Sequence, residues 1–445
     1  MAATQKWSSR FGFLMASIGF AVGLGNIWRF PYVTGENGGS AFVLVYLLCV
    51  AAIGIPILMA EIMLGRRGRL APPATFAKLA SAAGQSHRWV AVGYLNLLTA
   101  FAILIGYGVV AGWVLYYLVH AAATGFAGVD AVASERVFVT LTASTPLMMF
   151  WTLVAFGIAG VIVARGVSSG IEKAVVVLMP LLFVLLVSLA LFNAFAGGMP
   201  QALDYLFTLD FSKITGAVVL AAVGQAFFSI GVAMAGMMMF GAYLDKDISI
   251  AGSAFLIVIA DTGVALTAGL VIFPMVFEYG LDPAGGAGLI FETLPVAFAQ
   301  MPGGAIIAPL FFLLLSVAAV TSIVGLVEPV TAWVAERFGL VRSRATVVLL
   351  STLLPLSLVS ALSYNHWANV RMFGMNLAAV IDFVPNQIML PLGGLAIALF
   401  TGWFFKREAG AQELGLNEGA FSLWYQLLRF VVVPALLLIF IGGLS

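Results

Sequence analysis

The sequence predicts an all-α polytopic membrane protein folded as one domain, residues 1–445. Three observations lead there. The chain is 62% hydrophobic and only 9% charged, with a mean hydropathy of +1.11, too much apolar surface for a water-soluble globule to bury. Apolar segments of spanning length recur at 11–32, 40–64, 89–121, 146–164, 171–195, 214–242, 248–276, 304–335, 345–363, 373–405 and 421–443, eleven in all. With the N-terminus inside, sixteen of the twenty Lys and Arg residues fall on the cytoplasmic side. Only Arg29, Arg136, Lys213 and Arg371 fall outside. The expected location is a plasma (inner) membrane, with Ser445 external because the span count is odd. A formal net charge of +1 gives no reason to expect a nucleic-acid partner; the lipid bilayer is the expected surrounding.

Span 1 (11–32) has no small-residue cleavage site, so it is read as a retained helix and not a signal peptide. It is interrupted from Gly19 to Pro31. Gly19, Gly23 and Gly25 each weaken a helix by about 1 kcal/mol relative to Ala. Asn26 and Arg29 are polar at a costly depth, and Pro31 removes a backbone donor. Bared carbonyls inside a bilayer are tolerated only where they line a site or are buried in protein. A kinked helix with a packed glycine face is the bland alternative; Asn26 and Arg29 favour a functional break.

Span 2 (40–64) carries the single cysteine, Cys49, read as an inert thiol, and an in-membrane Glu61. Spans 3 (89–121) and 8 (304–335) exceed one bilayer crossing, which implies tilt or extension. The outer loop 196–213, with Gly197-Gly198-Met199-Pro200, is expected to carry local structure. So is 277–303, where a Gly-rich turn from Asp282 to Gly288 precedes an apolar run too short to span. That run reads as a short helix over the outer face, with a lid as one possible role.

Span 6 (214–242) carries Gly224, Gly231, Gly236, Gln225 and Ser229 in an otherwise apolar run. If spans 1–5 (11–195) and 6–10 (214–405) are inverted repeats, with span 11 (421–443) outside them, the two interruptions correspond. Paired interruptions of this kind point to a transporter binding site near the bilayer midplane.

Glu61, Asp261, Glu328, Asp382 and Arg29 lie within spans, each costly unless paired or hydrated. Arg29 and Asp382, both toward the outside, are placed to form an outer ion pair with Gln225 alongside. Asp261 is midway through span 7 (248–276), where a bound cation would keep it ionised. Thr321 and Ser322, with Ala318 a turn earlier, supply oxygens of the kind hard cations prefer, although such hydroxyls commonly bond back to their own helix. His87, His120 and His366 have no metal spacing. No nucleophile–base set or phosphate cradle occurs, so the chain is not expected to be an enzyme, and an ion gradient is the available energy source.

The run Gly23-Leu24-Gly25-Asn26-Ile27-Trp28-Arg29-Phe30-Pro31, then Glu36-Asn37-Gly38-Gly39, Gly54-Ile55-Pro56 through Glu61 to Gly65-Arg66, Gly224-Gln225-Ala226-Phe227-Phe228-Ser229, and Thr321-Ser322 with Glu328-Pro329, resembles the neurotransmitter:sodium symporter family. The resemblance covers essentially the whole chain, and eleven spans look like the bacterial branch. It implies a LeuT-type 5+5 inverted repeat with spans 1 and 6 unwound mid-membrane.

It also implies two Na⁺ sites. One would use the Ala21 carbonyl, Asn26, Ser229 and Asp261 with the substrate carboxylate. The other would use the carbonyls of Gly19, Val22 and Ala318 with the Thr321 and Ser322 hydroxyls. Tyr107 matches the tyrosine that binds the substrate carboxylate, and Phe228 the aromatic lid below an Arg29–Gln225–Asp382 outer gate. Ile103, Leu24, Met234 and Leu326 would line the side-chain pocket beside Ala21, Gly25, Ser229, Gly231 and Ser322. Trp7, Tyr243 and Glu336 match the inner gate. Gly170 and Pro180, separated by nine residues, match a span-5 motif associated with unwinding during inward opening.

Departures narrow the expectation. Gly23 replaces the aspartate of monoamine carriers and leaves room for a substrate's own carboxylate. Asp261 stands where chloride-dependent members carry asparagine, so its fixed charge is expected to replace the halide; Ala265 offers no second carboxylate. The inner-gate arginine is absent, with Thr4 near its place and Lys6 as a substitute. The resulting reading is a Na⁺-coupled, chloride-independent symporter importing neutral, hydrophobic or aromatic L-amino acids by alternating access. A same-fold carrier of another solute, such as a betaine or polyamine, and a non-transporting sensor or channel are the alternatives.

Overall fold

The computed structural model describes residues 5–283 and 288–443. Thr4, Ser445 and most of the Gly-rich turn before Gly288 lie outside the described residues. Among the described residues, nine helices are long and apolar enough to cross a bilayer. These are Ser40–Gly68, His87–Thr124, Thr145–Ala164, Val167–Phe195, Ile250–Glu278, Gly304–Phe338, Arg342–Leu362, Leu377–Phe404 and Glu418–Gly442, here spans 2–5 and 7–11. Span 1 is a pair, Arg10–Ala21 and Gly25–Glu36, bent by 49°. The sixth predicted span forms two helices, Gly216–Ser229 and Gly236–Ala242, each too short to cross alone. Length and apolarity therefore count ten spans rather than the expected eleven, and the shortfall is the break in span 6.

Side-chain caps set several helix starts, since an oxygen at the N-cap satisfies an amide that the first turn leaves free. Ser9 accepts from Gly12 N at 2.9 Å, Thr215 from Val218 N at 3.3 Å and Ser249 from Gly252 N at 3.1 Å. Asn376 accepts from Ala379 N at 2.7 Å, so span 10 begins at Leu377 and not at 373. The residues just before it form a small hairpin, Arg371–Met372 against Met375–Asn376. Three further helices lie between the spans: Pro72–Ala82, Ala131–Ala143 and Arg407–Leu414. Met199–Phe207 and Leu294–Gln300 supply the local structure expected of the two outer loops.

Span 8 is the central post, with 89% of its apolar window buried, and its most extensive pairing is with span 3. Lipid tails supply no hydrophobic drive between helices, so close backbone approach does the packing. Span 2 and the second half of span 6 show it. A Cβ on Gly65 would lie 1.8 Å from Met238 O, and one on Gly241 would lie 2.5 Å from Ile62 O.

Candidate transport site

Both breaks meet between spans 3 and 8. The last helical bond of the first half of span 1 runs from Val22 N to Ile18 O at 2.7 Å, and Val22 then turns to φ −71°, ψ 92°. The Gly23 amide, having lost its place in the helix, donates to Asn26 Oδ1 at 3.3 Å. Span 6 breaks through left-handed backbone at Gly231 (φ +72°), Ala233 (φ 61°) and Ala235 (φ 64°). The buried Glu61 carboxylate accepts from Ala233 N, so span 2 supplies the acceptor the broken helix lacks. The Phe20 ring fills the notch between the breaks: a Cβ on Gly236 would lie 2.3 Å from it, and one on Gly325 would lie 2.1 Å from it. Neither Glu61 as a strut nor Phe20 as a wedge was assigned a role from sequence.

Three of the predicted polar side chains, from spans 1, 6 and 7, meet at the breaks. Asn26 Nδ2 donates to Ser229 Oγ at 3.0 Å, to Asp261 O at 3.1 Å and to Asp261 Oδ1 at 2.7 Å. Ser229 Oγ donates to Asp261 Oδ2 at 2.7 Å. That spends the serine proton, so Tyr46, 3.4 Å away, is the donor toward Ser229 Oγ. All three polar residues are buried, and no basic side chain lies within 4.0 Å of Asp261 among the described ion pairs. A buried carboxylate held only by neutral donors, beside the free carbonyl end of span 1 at Ala21, fits a monovalent cation.

Thr321 and Ser322 of span 8 lie against span 1. A Cβ on Gly19 would lie 3.3 Å from Thr321 Cβ, and Ser322 Oγ donates to Phe20 O at 3.4 Å. Thr321 Oγ1 bonds back to Val317 O at 2.9 Å and Ala318 O at 3.1 Å. The Thr321 hydroxyl thus bonds to its own helix while its Cβ faces Gly19.

Above the breaks lies a cavity of about 630 Å³. Of the predicted substrate contacts, Leu24, Gly25, Ile103, Tyr107 and Phe228 line it. Ala21, Ser229, Gly231, Met234, Ser322 and Leu326 are buried and do not. Gly23 lets three elements close in here: a Cβ there would lie 2.5 Å from Ser322 Oγ and 3.2 Å from the Tyr107 hydroxyl. Leu24 N donates to that hydroxyl at 3.4 Å. The Phe228 ring packs on Gly25, whose Cβ would lie 2.8 Å from it. Glu292 lines the mouth, where burial and the nearby Glu135 carboxylate push its carboxyl above the usual range.

The outer gate differs from expectation. Arg29 and Asp382 both line the cavity, but no ion pair within 4.0 Å joins them among the described residues. The Arg29 guanidinium instead lies 4.6 Å from the Phe228 ring centroid, and Asp382 Oδ1 accepts from Asn386 Nδ2 at 2.7 Å. Gln225 Nε2 donates to Gly25 O at 3.1 Å, tying the two breaks together instead of bridging the charges. The intervening cavity keeps the pair apart.

The arginine- and lysine-rich face is closed. Trp7 Nε1 donates to Phe240 O at 3.0 Å, and the Trp7 ring lies 6.3 Å from that of Tyr243. Glu336, the third predicted member, is exposed and accepts from Ala71 N at 3.0 Å. Tyr243 instead donates to the buried Glu328 at 2.6 Å, and Arg342 pairs with the same carboxylate. Glu328, an acid within a span, thus finds its partner in Arg342 at the start of the helix Arg342–Leu362. Lys6 pairs with Asp245 at 2.9 Å, not with Glu336. Ser8 N, Ser8 Oγ and Ser9 Oγ donate to Glu172 at 2.8, 2.7 and 2.7 Å, strapping the chain start to span 5. That span runs helically through Pro180, with a π-turn at Val167–Ile171.

The family model described as the sodium:neurotransmitter symporter family matches residues 4–131 and 136–443. A Haemophilus influenzae protein named as an uncharacterised sodium-dependent transporter is 33% identical, covering 99% of this chain and 98% of its own. A Bacillus subtilis sodium-dependent transporter, YhdH, is 32% identical over 98% and 97%. The crystal structure of MhsT in complex with L-phenylalanine superposes with a TM-score of 0.91 at 40% identity, covering 99% of both chains. With these matches over nearly the whole chain, the protein belongs to the sodium:neurotransmitter symporter family and is a membrane transporter, not an enzyme.

Proposed function

We propose that this transporter couples Na⁺ entry to import of neutral, hydrophobic or aromatic L-amino acids without a chloride requirement. The observation that carries the reading is Asp261: a fully buried carboxylate, bonded by Asn26 and Ser229, at the edge of the break that opens beside Tyr107. A cation there would hold the carboxylate ionised, and that negative charge takes the role an anion would otherwise fill. A substrate carboxylate reaching Tyr107 and the Gly23–Gly25 amides completes the same site, so each ligand raises the other's affinity. Leu24, Ile103, Val110 and Phe228 offer the side chain an apolar lining. The match to MhsT, whose structure holds L-phenylalanine, supports that substrate class. Alternating access would open the two ends of the broken spans in turn, with Arg29 and Asp382 meeting over a loaded site and the Trp7–Tyr243–Glu328–Arg342 contacts parting on the cytoplasmic side.

The test is uptake of labelled phenylalanine, tryptophan, tyrosine and leucine into proteoliposomes under an inward Na⁺ gradient, with betaine and polyamine competitors. Saturable, Na⁺-dependent accumulation of at least one amino acid is expected. Displacement by betaine or polyamine alone would transfer the assignment to another solute. Binding without accumulation would make the chain a sensor.

A further inference from the structure

Spans 10 and 11 meet near the basic face around a guanidinium without an acceptor. Arg429 sits in the π-turn Leu428–Val432. Its Nε is buried with no hydrogen-bond partner, and it enters no ion pair among the described residues. Three rings box it: Trp403 at 4.7 Å, Tyr425 at 5.3 Å and Phe430 at 5.3 Å. Gly402 admits the side chain, since a Cβ there would lie 2.9 Å from Arg429 Cγ. Arg407 shares the Tyr425 ring, at 5.7 Å. Lys406, beside it, is exposed and also free of ion pairs among the described residues. Glu408 and Glu418 are within 4.0 Å of none of the three, and Glu413 is committed to Arg66 and Arg67.

Ring faces cover the guanidinium plane but cannot accept from its N–H edges, which lie in that plane and seek a bidentate oxyanion. The depth says which oxyanion is at hand. Trp403 is in the last turn of span 10, which ends at Phe404, and Lys406 follows. This is the aromatic-belt level where headgroups lie. From it an apolar strip faces outward, with Trp403 40%, Phe430 65% and Leu423 60% exposed.

We propose that an anionic phospholipid binds the seam between spans 10 and 11. Its phosphate sits on the Arg429 N–H edge, Lys406 and Arg407 add attraction, and its chains lie along Trp403 and Phe430. A zwitterionic lipid offers the same phosphate but carries a cation that this basic cluster repels.

Native mass spectrometry of the purified full chain, titrated with phosphatidylglycerol or phosphatidylcholine, tests this. Preferential phosphatidylglycerol binding is expected, weakened by about fivefold per charge removed in Arg429→Gln and in the exposed double variant Lys406→Gln/Arg407→Gln, with phosphatidylcholine binding unchanged. If Arg429→Gln does not fold, the double variant decides. Equal affinity for the two lipids, or phosphatidylglycerol binding unaltered by the charge removals, overturns the proposal. So does displacement of bound phosphatidylglycerol by inorganic phosphate at equal concentration, which would make the occupant a free anion.

Discussion

At the residue scale, the site rests on how few side chains share each job. Asn26 gives its amide protons to Ser229 and Asp261 and its oxygen to the Gly23 amide. Asn26→Ala therefore removes a donor to the Asp261 carboxylate and, on the proposed function, a cation ligand with it. Na⁺ and substrate affinity in equilibrium binding should each fall at least about tenfold, a loss of ~1.4 kcal/mol; unchanged Na⁺-substrate coupling would refute the assignment. Asp261→Asn leaves the hydrogen-bond geometry and deletes the charge. Wild-type uptake should survive replacement of chloride by gluconate, whereas the variant should lose uptake or acquire chloride dependence. A variant matching wild type in both media would show that the charge takes no part. Asn26, Ser229 and Asp261 were legible in the sequence because polarity is costly in an apolar span. Glu336 was misassigned for a different reason. Glu328 and Glu336 lie on one helix, and only its rotation about its axis decides which carboxylate faces Tyr243 and which faces solvent.

At the element scale, the breaks in spans 1 and 6 are held open by neighbours. Ala233 and Ala235 occupy left-handed backbone, where a Cβ costs about 1–2 kcal/mol. Ala235→Gly should therefore leave the thermal unfolding temperature unchanged or raise it, although the same substitution inside a helix costs about 1 kcal/mol. A clear fall in melting temperature would mean that the left-handed turn is not the stable one. Gly236→Ala, one residue on, drives a methyl into Phe20, 2.3 Å from its ring. Overpacking of this kind costs about 1–3 kcal/mol, read as a lower melting temperature and weaker substrate binding. The presence of both breaks could be read from Gly23, Gly25, Gly231 and Gly236. Their supports could not, because Glu61 and Phe20 act across gaps of more than a hundred residues.

At the scale of the whole molecule, one face is sealed and the other opens on a cavity. Glu328 is fully buried and pairs with Arg342. Removing one partner of such a pair costs about 3–5 kcal/mol, and here that cost falls on the sealed state. With Cys49→Ala as background, a cysteine at Ile381, which lines the cavity, should react with an impermeant thiol reagent added externally. Adding Arg342→Gln should lower that labelling and slow uptake as the population moves toward the opposite opening; unaltered labelling in a folded variant would show that this pair does not hold the sealed state. The Arg29–Asp382 separation belongs to this scale as well, since an ion pair that closes only over a loaded site has no fixed distance for a sequence to encode.

By itself the sequence determined the membrane class, the direction of the Lys/Arg bias, the two helix interruptions and most of the oxygen atoms at the site. These follow from local chemistry: apolar length, charge count, and polar residues where lipid makes them costly. Only the tertiary structure decided that Glu328 and Arg342, not Glu336, complete the Trp7–Tyr243 contact, that Glu172 holds the chain start, and that Phe228 carries Arg29 over an open cavity. Those pairings depend on helix rotation and on spans far apart in the chain being packed together, and no local pattern carries that information.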